Sequence, residues 1–181
     1  MPQTVQSLTI GSKAPPFELR ATDGQTYTLH SFDGKKFLVI IFSANHCPYV
    51  AAWEDRMIAI GHEYANRGVG FAVISSTDAQ QHPQDSFEEM KKRAEEKAYP
   101  FPYLYDEDQS AARSYGATRT PEVFLFDEDR TLRYHGAIDS DFEESAGMEN
   151  YLRDALNLLL IGREPMVDET PPLGCVIKLR E

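Results

Sequence analysis

Phe37-Leu-Val-Ile-Ile-Phe-Ser-Ala-Asn-His-Cys-Pro-Tyr-Val50 is the stretch from which the fold can be read. Phe37–Phe42 is a continuous apolar run rich in β-branched residues, the pattern of a strand buried on both faces. Beyond Cys47 the period changes. Val50, Trp53, Met57, Ile60 and Tyr64 recur at helical spacing and form one apolar stripe, with Glu54-Asp-Arg56 mostly off it. Pro48 suits the first helical turn, where its missing N–H costs nothing. Gly68 ends the helix, and Val69-Gly-Phe-Ala-Val-Ile74 reads as a second buried strand. Strand, helix and strand in that order predict a parallel pair with a right-handed crossover.

Working outward, Lys13–Arg20 and Thr26–His30 read as a hairpin across a Gly-containing turn. Ser75–Gln84 is a polar loop. Asp85-Ser-Phe-Glu88 resembles a capping box opening a helix whose apolar face is Phe87, Met90, Ala94 and Ala98, and Lys91–Lys97 reads as its solvent face. Phe101-Pro-Tyr-Leu-Tyr105 carries a proline and predicts an edge strand. A short helix over 108–115 ends at Gly116. Glu122–Phe126 and Thr131–Tyr134 form a hairpin, and a last amphipathic helix covers 148–161. The expected class is α/β, a mixed central sheet with helices on both faces. Residues 1–162 form the domain and 163–181 a Pro-rich tail. Leu173, Val176, Ile177 and Leu179 would expose apolar surface if the tail hung free, so it is expected to dock.

The 181 residues carry a net charge of −11 and a pI near 4.9, which disfavours nucleic acid and anionic lipid as partners. The longest apolar run has six residues, against about 20 for a membrane helix. Met1–Leu8 has neither a basic n-region nor an apolar h-region, so no secretory signal and a cytoplasmic location are expected. Two cysteines exclude a disulfide scaffold and any four-thiolate metal site. The histidines are scattered, Asp139–Glu144 lacks an EF-hand frame, and no Gly-rich phosphate loop occurs. Neither metal nor cofactor is expected.

Cys47 stands between the buried strand and the helix. A thiol there faces unpaired backbone N–H groups and the positive end of the helix dipole, both of which favour the nucleophilic thiolate. The competing reading is a small buried apolar residue. Here a resemblance enters. Phe42-Ser-Ala-Asn-His-Cys-Pro-Tyr-Val50 resembles the Cys-Asn-His-Cys-Pro segment of peroxiredoxin-like, thioredoxin-fold proteins of the alkyl hydroperoxide reductase/thiol-specific antioxidant superfamily. The similarity continues through Phe101–Asp106, Arg119–Asp127, Tyr134-His-Gly136 and Thr170–Lys178. It implies a thioredoxin-like fold and an antioxidant thiol oxidoreductase acting on a peroxide or a disulfide, with an external thiol as reductant.

The departures from that pattern are specific. Ala44 stands where a Cys-x-x-Cys pair needs its first thiol. Ile40, Ala44 and Pro121 stand where a typical peroxiredoxin keeps its proline, hydroxyl and arginine. Without the last two, peroxide loses electrostatic activation; Arg119 is the candidate substitute, or else a solvated surface residue. Thr120-Pro121 resembles the cis-proline element of thioredoxin-fold proteins, which implies a Thr120 backbone free to pair with a substrate chain. Asn45, His46, Thr120 and Pro121 are therefore the candidate substrate-binding residues, and Cys47, Cys175 and Arg119 the candidate catalytic ones. With alanine at position 44, Cys175 is the only intramolecular candidate to resolve an oxidised Cys47. A second class stays open: a non-catalytic module that binds polypeptide beside Pro121, with Cys47 vestigial.

Overall fold

The computed structural model describes residues 6–181; Met1–Val5, part of the stretch read for a leader, lie outside the described residues. The elements run β1 (Glu18–Ala21), β2 (Thr26–Thr28), β3 (Phe37–Ser43), α1 (Pro48–Ala65), β4 (Val69–Ser75), α2 (Phe87–Glu96), β5 (Tyr103–Tyr105), α3 (Ser110–Tyr115), β6 (Arg119–Thr120), β7 (Glu122–Phe126), β8 (Leu132–Gly136), α4 (Tyr151–Leu160) and β9 (Cys175–Val176). Seven strands form one mixed sheet in the order β2-β1-β5-β4-β3-β7-β8, and β6 pairs separately with β9. This is a thioredoxin-like α/β fold carrying an N-terminal hairpin. Among the described residues, no helix is long and apolar enough to cross a membrane.

The unbroken apolar runs become the centre of the sheet. β3 and β4 are parallel in register from Phe37↔Val69 to Ser43↔Ser75, and every residue of both is buried. Alternate side chains leave the strand on opposite faces. Val39, Ile41 and Val73 pack with Trp53, Met57, Ile60 and Tyr64 of α1, Met90 of α2 and Leu152, Leu156 and Leu159 of α4. Leu38, Ile40, Phe42 and Ile74 pack on the other side with Ala111, Ala112 and Tyr115 of α3. Each such side chain contributes roughly 1.5–3 kcal/mol when fully buried, so β3 fixes both layers at once.

Three local readings are corrected. β5 is interior: β4 pairs with it in parallel, and β1 of the N-terminal hairpin covers its other side. Pro102 falls just before the strand, where only its carbonyl is used, accepting from Val73 N–H at 3.1 Å. The cap of α2 is Ser86, whose side chain accepts from Glu89 N–H at 3.2 Å, because the Asp85 carboxylate is engaged elsewhere. Glu54, off the apolar stripe of α1, is buried nonetheless. It accepts Arg93 Nε and Nη2 at 2.9 and 2.6 Å and the Tyr99 hydroxyl at 2.5 Å, so part of the charged face of α2 turns inward. The two terminal helices are also shorter than their patterns predict, starting at Ser110 and Tyr151. Ahead of α4, Asp139 is buried and accepts from Trp53 Nε1 and Arg56.

The register positions the site. β7 runs antiparallel to β3 with Phe42↔Glu122, so Thr120 and Pro121 arrive at the same sheet edge as the turn from β3 into α1. The tail returns to that edge. Asp168 O accepts from His135 N–H, and Thr170 N–H donates to His135 O, alongside β8. Thr170 Oγ1 accepts from Ala137 N–H at 2.9 Å and lies 2.8 Å from the Tyr134 hydroxyl. Gly136 is obligatory here, since its φ is +144° and an added Cβ would stand 2.2 Å from Thr170 Oγ1.

The Glu54–Arg93 pair separates buried from surface electrostatics. Arg93→Leu removes the two-pronged partner of the buried Glu54 carboxylate, leaving it to the Tyr99 hydroxyl and the Lys97 ammonium, and is expected to cost about 2–3 kcal/mol in urea denaturation. Lys92→Leu breaks only the exposed pair with Glu89 and is expected to cost under about 1 kcal/mol.

Candidate active site

Cys47 is the N-cap of α1, one residue before Pro48, and 1% exposed. The buried strand carries the chain to the sheet edge, and the Pro48 start of α1 fixes where the thiol stops. Its Sγ lies 3.4 Å from Thr120 O and 2.8 Å from Cys175 Sγ. Both cysteines are free thiols. The separation exceeds the 2.03–2.05 Å of a disulfide, yet is short enough that little displacement is needed to form one. Ala44, Val50 and Tyr49 complete the apolar surround.

Cys175 reaches this point on β9, antiparallel to β6, with Thr120↔Cys175 and Arg119↔Val176 opposite each other. Ile177 N–H donates to Thr118 O, and Ile177 and Leu179 pack against the face carrying α3. Gln109 Nε2 donates to Lys178 O and its Oε1 accepts from Arg180 N–H. Gly174 passes so close to β6 that a Cβ on it would stand 1.9 Å from Thr120 O. The Thr120 backbone expected to be free for a substrate chain is therefore taken by the chain's own tail. Arg119 is exposed, and its guanidinium donates to Gly174 O at 3.1 Å; it holds the tail rather than facing the Cys47 sulfur. The Thr120–Pro121 bond is cis.

Burial first, then the hydrogen bond and charge of Cys47, push the Cys175 thiol up to about 11, while Tyr49 N–H and Arg119 pull it partway down. At neutral pH Cys175 keeps its proton.

Asn45 and His46 are held from behind by a residue the sequence reading missed. Asp85, fully buried, accepts Asn45 N–H at 2.5 Å on one oxygen. On the other it accepts His46 N–H at 3.2 Å and His46 Nδ1 at 2.6 Å. Tyr103 donates to Asn45 Oδ1 at 2.9 Å, and burial drives its own pKa far up, so it remains a donor at any ordinary pH. The His46 ring stacks on His82 with centroids 3.9 Å apart. Those two rings, with Thr120, Val176 and Lys178, line a narrow cleft of about 30 Å³ between the His46 loop and the tail.

Glu122 does the same for the opposite loop. It is fully buried and accepts Thr118 N–H at 2.7 Å, Arg119 N–H at 3.3 Å and His135 Nε2 at 2.7 Å. A carboxylate heading the otherwise apolar run Glu122-Val-Phe-Leu-Phe126, with a histidine in the next strand, was the signal for it. Asp85 offered no such signal, because its sequence context fits a helix cap equally well. Among the described residues, no group of His, Cys, Asp or Glu could hold a metal ion.

Residues 9–152 match the Redoxin family. An uncharacterized conserved protein from Geobacillus kaustophilus shares 40% identity with a TM-score of 0.89, covering 95% of this chain and 93% of that one. A hypothetical protein from Sinorhizobium meliloti 1021 shares 34% with a TM-score of 0.90, covering 97% of each chain. A 1-Cys peroxiredoxin from Onchocerca volvulus is 24% identical over 159 residues, which is 74% of this chain and 68% of that protein.

Gly174→Ala tests the seating of the tail. The added Cβ is expected to lift β9 and speed iodoacetamide labelling of Cys47 by about tenfold, equivalent to about 1.4 kcal/mol of lost docking, with the circular dichroism spectrum unchanged. Unaltered labelling would mean that the tail does not cover Cys47.

Proposed function

Because the chain belongs to the Redoxin family, we propose that it is a thiol oxidoreductase in which Cys47 is the thiol oxidised by substrate and Cys175 resolves it. The observation that carries this reading is the 2.8 Å between the two sulfurs. Cys47 also stands as the N-cap of an 18-residue helix, the end at which the helix dipole is positive.

Cys47 thiolate attacks one sulfur of a disulfide and expels the other half as thiolate, leaving a mixed disulfide. With a hydroperoxide it attacks the terminal oxygen, and the O–O bond breaks to leave a sulfenic acid on Cys47 and an alkoxide or hydroxide that takes a proton from solvent. In either case the Cys175 sulfur then attacks Cys47 Sγ. It expels the substrate thiolate, which takes up the Cys175 proton, or hydroxide, which takes that proton and departs as water. The product is a Cys47–Cys175 disulfide, returned to two thiols by an external thiol reductant. As Cys47 is covered by Cys175, the oxidant enters when β9 lifts from β6.

Disulfides fit this site better than peroxides. The polar neighbours of Cys47 Sγ are a carbonyl oxygen and a second sulfur. The one donor between them is the weak S–H of Cys175, a poor replacement for a hydroxyl and a guanidinium on the oxyanion that a breaking O–O bond develops, and the Arg119 guanidinium is engaged by Gly174 O. The reading as a polypeptide-binding module loses its footing for the same reason that the tail is in place: the edge it requires is filled.

Two outcomes are expected. Stoichiometric oxidant should convert the protein to an intramolecular Cys47–Cys175 disulfide in non-reducing mass spectrometry. Cys175→Ser should instead carry Cys47 forward to sulfinic acid or a mixed disulfide; a free Cys175 in the oxidised wild type would refute the pairing. Stopped-flow oxidation of Cys47 by hydrogen peroxide is expected to run at least about a hundredfold below dedicated peroxidases, the loss that follows from a missing oxyanion donor. Rates equal to theirs would return a cation to the site.

A further inference from the structure

Taking the Cys47–Cys175 pairing as given, we propose that Cys175 is the sulfur at which the external thiol reductant attacks the disulfide, so oxidant and reductant enter at different cysteines. Thiol–disulfide exchange is an in-line displacement: the incoming thiolate, the attacked sulfur and the leaving sulfur lie near one axis. Cys47 leaves little room for that axis, being packed against Thr120 O at 3.4 Å and the side chains of Ala44 and Val50. Cys47 itself is 1% exposed. For attack on Cys175 the approach is from outside. Cys175 is only half-buried on a two-residue strand, between Leu173 and Val176, which are 42% and 63% exposed.

The redox state decides which approach exists. With both thiols reduced, β9 is held to β6 by a short ladder and can lift to uncover Cys47. Once the disulfide forms, it ties β9 down over Cys47, and the lifted arrangement is lost until the bond is cut. The oxidised protein therefore presents one sulfur to solvent.

The leaving group agrees with the geometry. Attack at Cys175 forms a bond between it and the reductant sulfur, breaks the Cys47–Cys175 bond and releases Cys47 as thiolate at the head of α1. Attack at Cys47 would instead expel Cys175, a poor leaving group because burial, with Cys47 beside it, pushes its thiol up to about 11. With a dithiol reductant, its second thiolate attacks its own sulfur in the mixed disulfide. Cys175 leaves and takes up a proton, and the reductant departs as a disulfide. Leu173 and Val176, exposed on either side of Cys175 in the chain, and Tyr49, packed on the same apolar cluster as Cys175, give this rim an apolar character suited to a reductant whose thiol lies in an apolar face.

The test uses the full chain, oxidised to the Cys47–Cys175 disulfide, exposed briefly to reduced glutathione, quenched in acid, alkylated and mapped by mass spectrometry. Glutathione is expected on Cys175 and the alkyl group on Cys47, in an excess of at least about tenfold over the reverse. Equal labelling, or glutathione on Cys47, overturns the assignment while leaving the pairing intact. Failure of the disulfide to form at all overturns the pairing first, and the assignment with it. A Val176→Asp variant, altering only the exposed rim, should slow reduction by a dithiol protein such as thioredoxin while leaving reduction by dithiothreitol unchanged; equal slowing of both would remove the apolar rim from the recognition.

Discussion

Two carboxylates taken out of water hold the site together. Asp85 and Glu122 are each fully buried, and each accepts two backbone N–H groups and one imidazole nitrogen, from His46 and His135 respectively. Loops at a strand end carry donors that no neighbouring strand satisfies, and burying them unpaired costs about 1–3 kcal/mol each. A carboxylate satisfies two donors at once and fixes the loop in the process, and an imidazole nitrogen at 2.6 Å (Asp85) or 2.7 Å (Glu122) completes its polar surround. Asp85 fixes the Asn45–His46 approach to Cys47, and Glu122 fixes the Thr118–Arg119 approach to Thr120. The thiol lies between two loops that are both held from inside.

That arrangement explains why a chain without the peroxiredoxin hydroxyl and arginine can still organise a cysteine. The groups that would act on an incoming peroxide are replaced by Ile40, Ala44 and Pro121, while those that place Cys47 remain. The result is a positioned sulfur whose polar partners are a carbonyl oxygen and another sulfur. The second thiol arrives from the opposite end of the chain, and its strand fills the edge that a bare thioredoxin-like scaffold leaves open.

Much of the fold was legible because β3, β4 and the stripe of α1 are strong periodic signals set by burial on both faces. Reading failed where a residue answers a distant partner rather than its neighbours. Asp85 fits a helix cap in sequence and binds the Asn45–His46 loop in space; Glu54 lies off an apolar stripe and is buried by Arg93. Pro102 demotes a strand only if its own nitrogen must enter the ladder, and here it precedes the strand. For the site, Cys47, Cys175, Thr120 and Pro121 were visible in the chain and the structure brings them together. Arg119 was identified as a residue of the site but given a different partner, because no local pattern shows which way a guanidinium reaches.

The Thr170 anchor beside β8 has a kinetic consequence. From it to Cys175 the chain has 175 − 170 = 5 residues, two of them Pro171 and Pro172, so even fully extended the segment spans at most about 18 Å. When β9 is lifted, Cys175 still searches a small volume around Cys47, equivalent to an effective concentration on the order of millimolar. Ring closure is then first order and indifferent to how dilute the protein is. A competing small thiol has to be present at comparable concentration before it captures the oxidised Cys47 ahead of the tail.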